Sequence, residues 1–151
     1  MHYMCTATDT ASRRTEREKG MSVLEWHAGL NVGVGFMDDD HEVAAAQINA
    51  MAEAALPARL DELRRFIDHC RHHFAREEAM MQKTGFFAMG CHQGEHERVL
   101  AELGTVLAKL EAGDAQDGYF TKSLPEWLMI HRNTMDFVTA QFAQQAGFQA
   151  A

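Results

Sequence analysis

The chain has 151 residues, long enough for one domain with a buried core, and 46% of them are apolar, which excludes a disordered composition. A formal net charge of −8 disfavours a surface for nucleic-acid phosphates. No apolar run approaches the roughly 18 residues of a membrane span, and the start lacks the apolar stretch of a secretory signal. Neither nucleic acid nor a membrane is therefore expected as a partner.

Residues 1–20 are polar and aperiodic and are expected to form a disordered tail, with Met21 as an alternative start and the folded domain over 21–148. Residues 22–37, SVLEWHAGLNVGVGFM, hold three glycines among apolar residues. They are expected to form an extended arm over the core, with Trp26, Leu30, Val32, Val34 and Phe36 in alternation and no partner strand in sight. The spacing then predicts a first helix from about Asp38 to Asp40, acidic residues that suit a helix N-terminus. Its inward stripe reads His41, Ala45, Ile48, Met51 or Ala52, and Ala55. Pro57 opens a second helix, whose stripe runs through Leu60, Leu63, Phe66, Ile67, Cys70, His73, Phe74, Glu77 and Met81 to a stop at Thr84-Gly85. A third helix, from about Met89 to Ala112, presents His92, His96, Val99, Leu103, Val106, Leu107 and Leu110; Gly118 falls in the loop after it. Ser123-Leu-Pro-Glu126 reads as a capping box starting a fourth helix, with Leu124, Trp127, Leu128, His131, Met135, Val138 and Phe142 inward. The prediction is an all-α, up-down-up-down four-helix bundle with an N-terminal extended arm.

A lone histidine on an apolar helix face is ordinarily a hydrogen-bonded core residue. Here the polar positions recur on all four stripes at one end of an antiparallel bundle: His41, His73 with Glu77, His92 with His96, and His131 with Asp136. Residues four apart project from one helix face, so each such pair aims at one point. Burying two carboxylates among imidazoles without partners would cost several kcal/mol. A metal centre removes that cost by occupying the lone pairs. Five imidazoles and two carboxylates exceed what one tetrahedral zinc accepts, whereas imidazole with carboxylate suits iron. Two octahedral ions sharing the two carboxylates and an oxo or hydroxo bridge would keep one position vacant, enough for a small molecule such as O2.

The segments MDDDH, HFAREE, HQGEH and WLMIHRNTMD resemble the four ligand segments of the hemerythrin family, bacteriohemerythrins in particular, over roughly residues 22–142. The resemblance implies two non-haem irons in an Fe-O-Fe or Fe-OH-Fe centre. It implies His92, His96 and His131 on the saturated iron, His41 and His73 on the open one, and Glu77 and Asp136 as bridges. Phe74, Trp127 and Leu128 would line the O2 pocket. It further implies reversible O2 binding for carriage, storage or delivery, by a binding protein rather than an enzyme. Two departures from the family stand out, and one spacing that the family tolerates departs from regular helix geometry. Asp40 takes a place where the family often has glutamine, and Arg132 one where an apolar residue is usual. His131 and Asp136, five apart, lie about 140° apart on a regular helix, so a π-bulge or a reach from the flank is required.

The alternatives share or break the same residues. An O2 or redox sensor, or a slow oxidase or peroxidase, would use the same centre, and an unidentified protein could receive the oxygen or the signal. His92-Gln-Gly-Glu95-His96 also fits the H-x-x-E-H zinc-metalloprotease pattern with Glu95 as base, but this leaves the other ligands unexplained. A ferritin-like bundle needs Glu-x-x-His pairs, which the chain lacks. His69 and Glu78 are expected at most to support ligands. Cys5, Cys70 and Cys91 lack framework spacing and read as free thiols of a reducing cytoplasm.

Overall fold

The computed structural model describes residues 22–149. The expected tail over 1–20, and with it Met21 and Cys5, lies outside the described residues. Four helices make the bundle: α1 (Gly35–Glu53), α2 (Ala58–Thr84), α3 (Met89–Glu111) and α4, continuous over 117–145. Connections of a few residues make successive helices antiparallel. Helix α1 packs on α2, α2 on α3, and α4 against α1 and α2. No strand occurs among the described residues, and no helix there is long and apolar enough to cross a membrane. Ile48, Met51, Leu63, Phe66, Leu103, Phe120 and Leu124 are almost wholly buried. Each such side chain contributes about 1.5–3 kcal/mol of burial.

Helix α1 begins at Gly35, earlier than the acidic run suggests, because Asp38 is not its cap. The Asp38 carboxylate reaches backward instead, accepting from the N–H groups of Val32 (2.6 Å) and Gly33 (3.1 Å) and fastening the arm to the first turn. The arm needs no partner strand: a 3-10 turn at Ala28–Leu30 interrupts the extended course and bonds its own backbone, and helix side chains satisfy groups on either side. Asn49 exchanges two hydrogen bonds with Leu24 (3.0 and 2.8 Å), and the Gln144 amide donates to Val32 O (3.1 Å). Gly33, at φ 89°, has the Gln144 amide where a Cβ would stand, so this close approach requires glycine. The end of α2 is as expected. Gly85 turns left-handed at φ 70°, and Phe86 N–H closes back on Met81 O (2.9 Å).

The fourth helix departs from expectation at both ends of its first half. Ser123 is helical (φ −64°, ψ −46°) and caps nothing, and Gly118 is helical rather than looped. The cause is burial upstream: Phe120 is fully buried, and Arg59, itself buried, lies 4.9 Å over its ring. Arg59 donates to Met51 O (2.8 Å), Ala115 O (2.6 Å) and Asp117 Oδ1 (2.6 Å), tying α1, α2 and the start of α4 at one end of the bundle. Two wide π turns, Tyr119–Ser123 and Arg132–Asp136, interrupt α4. Beyond the second, the inward stripe is Asp136, Thr139, Ala140 and Ala143, while Val138 is exposed. One extra residue in the turn advances everything after it by about 100°. That displaces the expected stripe of Met135, Val138 and Phe142 by one residue.

Candidate metal centre

Every helix delivers side chains to one buried cluster. Helix α1 supplies His41; α2 supplies His73 and Glu77 one turn apart; α3 supplies His92 and His96 likewise. Helix α4 supplies His131 and Asp136 across the second π turn, which gives a five-residue separation the reach of one turn. All seven residues are buried. Five imidazoles turn Nε2 toward the two carboxylates, and each carboxylate divides its oxygens. Glu77 Oε1 lies 3.1 Å from His73, while Oε2 lies 3.0 Å from His96 and 3.5 Å from His92. Asp136 Oδ2 lies 2.9 Å from His41, while Oδ1 lies 3.1 Å from His131 and 3.2 Å from His92. The atoms fall into one group of Glu77, His92, His96, His131 and Asp136 and another of His41, His73 and Glu77.

These separations match hydrogen bonds, but the directions do not. Both oxygens of Glu77, both of Asp136, and Nε2 of His41 and of His96 are buried without a hydrogen-bond partner. Orphaned buried donors and acceptors cost about 1–3 kcal/mol each. Within the cluster only His92 Nε2 and His131 Nε2 meet as a hydrogen-bonded pair, at 3.2 Å. Lone pairs that otherwise converge without bonding suit cations held among them, and the donor set of imidazole and carboxylate suits iron. Electrostatics agree. Burial, and for Glu77 repulsion from Asp136, push both carboxyls up; the facing His73 and His131 nevertheless hold Glu77 and Asp136 below the usual carboxylate range. Burial pushes His73 down, but Glu77 and Asp40 raise it to about 10. His131 is raised in the same way, chiefly by Asp136 against burial.

The outer nitrogens have partners of their own. His92 Nδ1 meets the Thr139 hydroxyl at 2.8 Å, His96 Nδ1 faces Glu78 at 3.4 Å, and His73 Nδ1 meets Asp40 Oδ2 at 2.7 Å. Arg76 donates to the same Asp40 oxygen. Burial raises the Asp40 carboxyl, yet the bonds and charges of His73 and Arg76 leave it below its ordinary value. His69 lies flat against His73 (centroids 6.4 Å apart) and bonds Asp40 O at 3.0 Å, a support rather than a member of the cluster. Thr139 escaped sequence reading because the π turn moved it inward; only its polarity beside an apolar stripe could have signalled it.

Phe74, Trp127 and Leu128 line a cavity of about 20 Å³ together with His41, His73, His131 and Asp136. Phe74 stacks on His96 (3.9 Å between centroids) and Trp127 on His131 (4.8 Å). Glu95 of the H-x-x-E-H segment is engaged with neighbouring side chains. It accepts from Trp127 Nε1 (3.0 Å) and from Arg98, whose bonds first of all bring it down to about 2, and it stands outside the cluster. Arg132 faces away from the cavity, donating to Leu30 O (2.7 Å) and Asn31 O (3.3 Å) of the arm. Cys70 is buried and its thiol pushed up to about 12 by burial; Cys91 is exposed.

Fold and site together define a cation-binding four-helix bundle. Residues 32–143 match the family described as the Hemerythrin HHE cation binding domain. The chain is 33% identical over 128 residues to a bacteriohemerythrin of Ralstonia nicotianae, covering 84% of this chain and 93% of that one. It is 30% identical over 113 residues to Myohemerythrin-1 of Phascolopsis gouldii, covering 74% and 87%. A solved wild-type hemerythrin superposes with a TM-score of 0.73 at 26% identity, over 80% of this chain and 97% of that one. The chain belongs to the hemerythrin family. Hemerythrins are non-haem di-iron proteins that bind O2.

Proposed function

We propose that this protein binds O2 reversibly at a pair of non-haem irons, for carriage, storage or delivery. The observation that carries this reading is the division of Glu77 and Asp136 between a three-histidine and a two-histidine side. His92, His96 and His131 would hold one iron, His41 and His73 the other, with both carboxylates bridging. With a shared oxo or hydroxo group such a pair would have room for one small ligand, which the cavity lined by His41, His73, His131 and Asp136 would admit. Iron held there would supply reversible electron exchange with O2.

The chain's own residues supply the remainder. Phe74 and Leu128 wall the cavity with hydrocarbon, which would limit the entry of water. Glu95 fixes the Trp127 indole, so the third wall is held in one orientation. Arg132 directs its guanidinium to the arm's carbonyls and does not line the cavity. Free Cys70 and Cys91 support a place in a reducing cytoplasm. The decisive experiment reduces the iron-loaded protein without oxygen, admits air while recording the visible spectrum, and then purges with inert gas. A band that appears with air and fades on purging is expected. Immediate conversion to a stable diferric spectrum would overturn reversible binding in favour of a redox sensor or an oxidase.

A further inference from the structure

The five imidazoles differ on the side turned away from the cluster. Thr139 offers His92 a neutral hydroxyl, and Glu78 stands off from His96 at 3.4 Å. The Nδ1 of His41 is buried with no partner at all. His73 alone has a short contact with a largely buried carboxylate, Asp40 Oδ2 at 2.7 Å. That carboxylate is in turn shared with Arg76, whose side chain is half exposed and lies 5.3 Å over the Phe36 ring. A line of charge thus runs from the two-histidine side of the cluster to solvent.

We propose that Asp40 is a positioning residue that orients His73 through its Nδ1–H and raises its donor strength, and that Arg76 moderates this effect by drawing on the same oxygen. The inference rests on the reading of His73 as an iron ligand. A carboxylate accepting from the outer N–H of a ligating imidazole fixes its tautomer and makes it the more basic ligand. More basic ligands favour the oxidised metal. Asp40 therefore lowers the reduction potential on the side where O2 is proposed to bind, and Arg76 sets how far. A neutral residue in place of Asp40 would hold the same hydrogen bond without the charge.

The test measures two quantities in the full chain: affinity of the metal-free protein for Co(II), and midpoint potential of the iron-loaded protein. Asp40→Asn should weaken Co(II) binding about 10- to 100-fold and raise the potential. Arg76→Met, at a half-exposed site, should leave the helical content intact and lower the potential. Opposite signs for the two variants are the signature, since a merely structural role would not produce them. Shifts of the same sign, or an unmoved potential in both, would overturn the proposal while leaving two irons per chain in the wild type. A wild-type chain holding fewer than two irons would instead bring down the ligand reading, and this inference with it. Should Asp40→Asn lose helicity, the Arg76→Met shift is read by itself, and a raised or unmoved potential overturns the proposal.

Discussion

Glu77 shows how much one side chain does at this site. It is fully buried, it hydrogen-bonds to nothing, and its two oxygens face different histidines. The i, i+4 spacing of His73 and Glu77 was visible in the chain; the parting of the oxygens was not, because it depends on which helices flank α2. The ligand set is tested one histidine at a time. His131→Ala removes a donor from the three-histidine side and His73→Ala one from the two-histidine side. Each should bring iron below two per chain by metal analysis of purified protein. Full retention of both irons in either variant would reject the assignment. Thr139 and the Asp40–His73 bond were illegible as support, since a hydroxyl or carboxylate outside the cluster carries no motif.

The second π turn is the element on which the site depends. On a regular helix His131 and Asp136 would diverge by about 140°, and the widened turn removes that divergence. It also decides which residues of the last turns face inward: Thr139, Ala140 and Ala143 rather than Val138 and Phe142. Two variants separate register from composition. Deleting the exposed Asn133 converts the turn to regular helix with His131 and Asp136 four apart, still on one face. Inserting one alanine after Asn133 rotates Asp136 and Thr139 by a further 100° or so. The deletion should retain much more iron than the insertion, with similar helical content by circular dichroism. Equal iron content in the two would show that the turn's register is immaterial. The misread start of the same helix has a simple cause. Ser-x-x-Glu is a capping box only where the serine is non-helical, and burial of Phe120 extends the helix past it.

At the scale of the whole molecule, the bundle is built around charges that only a cation or protons can balance. In the metal-free chain His73, raised to about 10, stabilises the fold fully below its unfolded value of 6.5, and this contribution is lost as pH climbs through about 10. The carboxylate of Glu77, depressed from 4.5, contributes above that value and loses its contribution as pH falls below it. Metal ligation requires neutral imidazole, so loading near neutral pH must expel a proton from His73, raised to about 10. Titrating the metal-free protein with Co(II) in weak buffer should therefore acidify the solution, and apparent affinity should rise from neutral pH toward 10. Loading at a hundredfold excess over Kd should add about 2.7 kcal/mol to unfolding. No proton release would mean that the imidazoles are neutral before metal arrives.

Helix number, the inward histidines and carboxylates, and the family likeness were legible in the chain, because amphipathic spacing and ligand spacing are local properties of a helix. The tertiary structure alone decided the register beyond Arg132, the seat of Arg59 among three backbone segments, the anchoring of the arm by Asn49, Asp38 and Gln144, and the partners of the outer imidazole nitrogens. Each of these turns on which groups remain unsatisfied once the helices have packed. That depends on residues distant in the chain, and no local pattern encodes it.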